Sequence, residues 1–200
     1  MHGVLRQYTL DAKNIDEIVR RVAADGINII KTIPGFVSYG IMDAGHGQFV
    51  TYSVYENKTG TEESTKKAAA WIKENIASMV PSPPRVTEGE VRVREAKEPA
   101  KYGVIRRYQV DLKNVDKIVA SAKSGFLPLV THLPGFASYS MLDAGKGTLV
   151  TISGFTTPSG SAESTKAAAN YIKEHLAALV PTAPEVTSGE VKLLERARQV

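Results

Sequence analysis

The sequence predicts an α+β protein made of one module written twice. The first observation behind this is a gapless repeat at an offset of one hundred residues. Gly3-Val4 returns as Gly103-Val104, Pro34-Gly35-Phe36 as Pro134-Gly135-Phe136, and Asp43-Ala44-Gly45 as Asp143-Ala144-Gly145. Two-fifths of the aligned positions are identical, so both copies carry one fold. The period is too long for a solenoid unit and suits a domain. The second observation is that each copy switches its apolar period between 2 and 3.6 in the order β-α-β-β-α-β. The third is physical: a sheet with both helices on one face leaves its other face uncovered, and the second copy is the obvious cover. The modules are placed at 1–95 and 101–196.

Each element follows from local signals. Val4 to Leu10, and Val104 to Val110, read as opening strands. Asn14 and Asn114 stand at a helix start, and Glu17 completes a capping-box pattern in the first copy. Ile15, Ile18, Val19, Val22, Ile29, Ile30 and Ile33 then recur at helical spacing, as do Val115, Ile118, Val119, Ala122, Phe126, Leu129, Val130 and Leu133. Gly26, Gly125 and Pro128 predict a bend or restart midway, and Pro-Gly ends the helix. Two strands, Phe36 to Asp43 and Gln48 to Tyr55, flank Ala44-Gly45-His46-Gly47, a hairpin turn repeated with Lys146 in place of His46. A second helix spans about Thr61 to Met79, striped by Thr65, Ala68, Ala69, Ile72 and Ile76, and stopped by Pro81, Pro83 and Pro84. The strand Val86 to Arg94 closes the module before a short linker. This order is the ferredoxin-like arrangement. The expectation is two antiparallel sheets packed face to face as an intramolecular α+β barrel, with the helices outside.

Composition narrows the function classes. The absence of cysteine removes disulfides, thiolate catalysis and cysteine-ligated metals, and fits a cytoplasmic location. The net charge of +4 is spread among acids, as in Lys13, Asp16, Glu17, Arg20 and Arg21, so nucleic acid is not an expected partner. No apolar run is long enough to span a bilayer. Met1-His2-Gly3-Val4 leads at once into strand sequence, so no signal peptide is expected. No His/Asp/Glu spacing suggests a metal, and no cofactor is expected.

Pro-Gly-Phe-x-Ser-Tyr at 34–39 and 134–139, the Asp-Ala-Gly hairpin, and Glu63-Ser64 or Glu163-Ser164 opening the second helix carry a family resemblance. The chain resembles antibiotic biosynthesis monooxygenase-like domains of the dimeric α+β barrel superfamily, here in tandem. The resemblance implies cofactor-independent oxygenation of polycyclic phenols, haem chemistry, or no reaction at all. Haem-degrading relatives imply an Asn on the first strand and Trp and His on the second helix. This chain offers Gln7 and Arg107, then Trp71 and Tyr171 without the histidine. His132 and His175 fall on helices expected to face away from the barrel interior, and His46 falls on a hairpin tip.

The barrel interior is expected to be lined by alternate strand residues. These are Arg6, Tyr8, Tyr39, Thr51, Ser53 and Glu90 in the first copy, and Arg106, Tyr108, Tyr139, Thr151, Ser153 and Glu190 in the second. The arginine fork suits a phenolate, enolate or carboxylate; the structural alternative is an Arg6–Glu90 and Arg106–Glu190 ion pair. Small hydroxyls between aromatics suit a flat, partly polar ligand, or an ordinary half-buried strand. Trp71 falls at the flank of its helical stripe, at a pocket rim, a core edge or a subunit contact. No general base is evident, so no catalytic residue is named. Two readings stay open: a small aromatic molecule bound between the sheets for monooxygenase-like chemistry, or a non-catalytic ligand-binding, stress-related or self-associating protein. Helix faces could support a homodimer.

Overall fold

The computed structural model describes residues 1–197. The first half runs β1 (His2–Thr9), α1 (Ile15–Arg21), a π-helical turn (Val22–Gly26), α2 (Ile27–Lys31), β2 (Phe36–Asp43), β3 (Gln48–Tyr55), α3 (Lys58–Asn75) and β4 (Arg85–Ala96). The second half repeats it with β5 (Tyr102–Gln109), α4 (Val115–Ser121), a π-helical turn (Ala122–Phe126), α5 (Leu127–Thr131), β6 (Phe136–Asp143), β7 (Thr148–Phe155), α6 (Pro158–Tyr171) and β8 (Glu185–Arg196). The predicted mid-helix interruption is therefore a π turn in both copies. The hydrogen-bonded strand order is β1-β3-β2-β8-β5-β7-β6-β4 and closes on itself, the expected antiparallel α+β barrel.

The chain divides into two compact units, and both long strands are shared between them. The first unit holds Met1–Gly89 with the segment from Val191 onward, and the second holds Glu90–Glu190. In the first unit β1 pairs with β3 so that Arg6 lies opposite Thr51 and Tyr8 opposite Phe49. Strand β2 pairs with the other edge of β3, placing Tyr39 opposite Ser53, after a register shift between Phe36 and Ser38. In the second unit β5 and β7 repeat these pairs as Arg106–Thr151 and Tyr108–Leu149, while Tyr139 lies opposite Ser153.

The hairpin turns form as their sequences require. Gly45, His46 and Gly47 all take positive φ. Asp43 Oδ1 accepts from Gly45 N at 2.9 Å. A Cβ on Gly47 would strike the Leu10 carbonyl, so this position has no room for a side chain.

The first unit's core lies between its sheet and its helices. Ile18, Ile30, Ile33 and Ile76 pack with Tyr8, Tyr39 and Phe49 in one cluster. Burying each of the large aliphatic side chains contributes about 1.5–3 kcal/mol. The second unit repeats this core with Ile118, Val130, Leu176, Tyr108, Tyr139 and Leu149.

That placement corrects one expectation. The expectation puts Arg6, Tyr8, Tyr39, Thr51, Ser53 and their copies on the face between sheets, yet this face of the strands packs under the unit's own helices. Period-2 alternation identifies two faces without saying which one the helices cover. The residues of opposite parity, Leu5, Val50 and Val54, are equally buried, so hydrophobicity does not separate the faces. Among the described residues no helix is long and apolar enough to cross a membrane.

Candidate functional site

Arg6 is the centre of the first unit's helix–sheet layer, with only 2% of its surface exposed. Its Nη1 donates to Ser53 Oγ at 3.3 Å, and its Nη2 donates to Ser64 Oγ and Thr65 Oγ1, each at 2.8 Å. The hydroxyls of Ser64 and Thr65 donate in turn to the Thr61 carbonyl, at 2.8 and 3.0 Å. A hydroxyl has one proton, so spending it on Thr61 leaves only lone pairs facing the guanidinium. Three neutral dipoles thus solvate the cation without neutralising it.

Arg6 Nε has no hydrogen-bond partner, and among the described residues no carboxylate lies within ion-pair distance of the guanidinium. Burial pulls its pKa below the ordinary arginine value; the phenols of Tyr8, Tyr39 and Tyr55, and then the Glu88 carboxylate, oppose that shift. Arginine nevertheless stays protonated. A buried cation without an opposite charge beside it is costly.

The second unit reproduces the cradle. Arg106 donates to Ser153 Oγ at 3.3 Å, Ser164 Oγ at 2.8 Å and Thr165 Oγ1 at 3.0 Å. Its Nε and the Tyr139 hydroxyl are both buried without a partner. The expected pairing of Arg6 with Glu90, and of Arg106 with Glu190, does not form. Glu90 is exposed, with Arg92 Nε at 4.0 Å, and Glu190 is exposed on β8 opposite Tyr102. Neither glutamate reaches an arginine cradle, because the hydroxyls of β3 and α3, or of β7 and α6, already surround the guanidinium. Sequence reading missed Ser64, Thr65, Ser164 and Thr165 as site residues. Their signal was the retained Glu-Ser-Thr-Lys run at 63–66 and 163–166.

Burial raises the phenol pKa values of Tyr8 and Tyr39, and it raises Tyr108 and Tyr139 likewise. These tyrosines are therefore neutral hydrogen-bonding groups at ordinary pH.

Cavities lie beside both cradles. In the first unit a chamber of about 50 Å³ is lined by Arg6, Tyr8, Tyr39, Thr51 and Trp71 among others. Next to it a cleft of about 430 Å³ shares Arg6, Tyr8, Ala68, Ile72 and Val80, and is walled by Pro81, Pro83 and Pro84. In the second unit a chamber of about 40 Å³ is lined by Tyr108, Tyr139, Thr151 and Tyr171 with aliphatic side chains. Trp71, expected at a rim or edge, is 7% exposed. Its indole lies against Gly26 and donates from Nε1 to Asp25 Oδ2 at 2.8 Å.

No Asp, Glu or His lines either chamber or the cleft among the described residues. His132 is exposed and sits against the Pro128 carbonyl at 2.6 Å, and the exposed His175 stacks on Tyr171. No group of three His, Cys, Asp or Glu among the described residues could hold a metal ion.

Neither a family model nor a curated protein matches the chain. Solved structures do. A candidate monooxygenase from Fusobacterium nucleatum superposes with a TM-score of 0.77 at 11% identity, covering 98% of this chain and 94% of that one. An anthrone oxidase-like protein gives 0.64 at 15% identity, covering 99% and 94%. A ferredoxin-fold protein related to antibiotic biosynthesis monooxygenases, from Listeria monocytogenes, gives 0.54 at 10% identity over 94% and 93%. The chain shares the fold of these structures, a ferredoxin-like α+β barrel. At these identities the likeness shows the fold, and the chemistry has to come from the residues.

Proposed function

We propose that this protein binds a small, flat aromatic molecule at the arginine–hydroxyl cradle and acts on it as a cofactor-independent monooxygenase. The observation that carries the reading is the buried Arg6 guanidinium, solvated by Ser53, Ser64 and Thr65 with no carboxylate of the described residues within ion-pair distance. A phenolate or enolate oxygen would supply the missing negative charge. The inner chamber is too small for a ring system, whereas the cleft lies in the range of small-molecule sites, roughly 300–1,000 Å³. The aromatic body therefore occupies the cleft, and its oxygen reaches Arg6 and Tyr8, which both cavities share.

The lining favours one kind of substrate. With no carboxylate or imidazole among the described lining residues to remove a proton, an acidic substrate whose anion Arg6 favours suits the site. Anthrone fits this demand. Its carbanion gives an electron to dioxygen, one oxygen atom enters the ring carbon and the other leaves as water, so anthrone and O₂ become anthraquinone and water. The anthrone oxidase-like protein of the same fold is consistent with this substrate class.

The test is oxygen consumption with anthrone, alongside a melting-temperature screen with anthraquinone. We expect turnover above the spontaneous rate, lost in Arg6→Gln/Arg106→Gln, and a rise in melting temperature with bound quinone. Binding without turnover would leave a ligand-binding protein. Neither binding nor turnover would overturn the reading in favour of a self-associating scaffold.

A further inference from the structure

We infer that the two copies have diverged and that only the first unit takes the anionic ligand, one molecule per chain, in the cleft bounded by Pro81–Pro84. This rests on the ligand-binding reading above and adds which half binds and which charge class it selects. Both halves keep the buried arginine and its three hydroxyls, so sequence retention alone suggests two equal sites. The cavity walls differ. Arg6 lines both the chamber and the cleft of the first unit, whereas the walls of the second unit's chamber do not include Arg106.

An aligned substitution also changes the chamber wall. Position 26 is glycine, and its partner is Phe126. The Phe126 ring packs against Tyr139 and Tyr171, with centroids 5.7 and 5.5 Å apart, and forms part of the chamber wall. In the first unit Gly26 leaves that space to the Trp71 indole. The second difference is charge. Lys67 joins the first chamber's walls, and the aligned residue is Ala167. Among the described residues the first chamber thus has two cationic side chains on its walls, Arg6 and a Lys67 that is ion-paired with Glu63 at 2.8 Å, and the second has none. The second chamber offers hydroxyls but no cation, and burying an anion without an opposite charge is costly.

The sequence also supplies a reporter for one half. The chain has a single tryptophan, and Trp71 lines the first chamber. Suitable probes are 2-naphthoate, a flat carboxylate, and 2-naphthamide, its neutral isostere. Titrated calorimetrically against the full chain, 2-naphthoate should bind once per chain and change Trp71 emission over the same concentration range. Arg6→Gln should weaken it at least tenfold, Lys67→Ala should weaken it several-fold, and Arg106→Gln should leave it unchanged. Lys67 is half-exposed, so its variant keeps the test informative if Arg6→Gln folds poorly. 2-Naphthamide should bind at least tenfold more weakly than 2-naphthoate.

Two naphthoates per chain, or equal losses in Arg6→Gln and Arg106→Gln, would overturn the divergence while sparing the aromatic-binding reading. Equal affinity for the two probes would overturn the anion selectivity, again sparing that reading. Absence of binding by either probe would overturn both.

Discussion

At the scale of the residue, Arg6 sets function against stability. Its guanidinium is desolvated with no described carboxylate within ion-pair distance, and two of its three hydroxyl partners, Ser64 and Thr65, already donate to the Thr61 carbonyl. Replacing it with methionine fills similar volume and strands no donor. Buried charge networks exchanged for apolar residues are often neutral or stabilising. Arg6→Met should therefore shift unfolding stability by less than about 1 kcal/mol, or raise it, while removing binding of 2-naphthoate. Urea denaturation checks the first half, and a loss above about 3 kcal/mol would mean that the cradle is structural. The tyrosines add a pH signature. Burial holds Tyr8, Tyr39, Tyr108 and Tyr139 above the ordinary phenol value and pushes Tyr55 up to about 12. Because the folded state favours the neutral phenols, their contribution is fully present below about pH 10 and is lost as pH rises through the folded values. Stability should fall between about pH 10 and 12, with phenolate absorbance at 295 nm appearing late and together with unfolding. Ionisation of all eight tyrosines near pH 10 in the folded protein would contradict this.

At the scale of the element, the π turns show how each unit fits an aromatic between its helices. Trp71 and Tyr171 occupy equivalent positions on α3 and α6, and each meets a glycine in the facing π turn. In the first unit that glycine is Gly26, with Asp25 accepting from the indole at 2.8 Å. In the second it is Gly125, and Tyr171 Oη donates to the Ser121 carbonyl at 2.9 Å. The glycine that meets the aromatic stands one residue earlier in the second copy. A Cβ at Gly125 would sit on the Tyr171 hydroxyl. Gly125→Ala should cost about 1–3 kcal/mol despite its better helix propensity, and Tyr171→Phe in the same chain should recover part of that loss. Independent, additive losses in a double-mutant cycle would count against the contact. The helix interruption was legible in Gly26, Gly125 and Pro128, as were the hairpins in Ala-Gly-x-Gly. The packed position of Trp71 was not legible: on the helical wheel it lies at the flank of the apolar stripe. What buries it is the π turn facing it, an element its own helix does not contain.

At the scale of the whole molecule, the repeat in sequence and the division in space do not coincide. The period of one hundred residues is visible at once, and so is the β-α-β-β-α-β order. What sequence could not reveal is that β4 and β8 each run twelve residues, long enough to serve both units, because a strand's periodicity does not say where its partners change. The first unit consequently depends on residues far from it in the chain. Ala197 N donates to the Val37 carbonyl at 2.9 Å, Lys31 pairs with Glu195 at 3.0 Å, and Leu193 packs on the first unit's core. A fragment of residues 1–97 lacks this segment and leaves the β2 edge with unpaired backbone donors and acceptors, a template for association. Expressed alone, it should run in size-exclusion chromatography above its monomer mass and lose cooperativity in urea unfolding. Mixing it with residues 98–197 should restore the elution volume and Trp71 emission of the intact chain. A monomeric fragment 1–97 with a sharp unfolding transition would show that the terminal strand segment is dispensable. The first-unit site could then be studied in half a chain, a direct way to ask whether one arginine cradle is sufficient for binding.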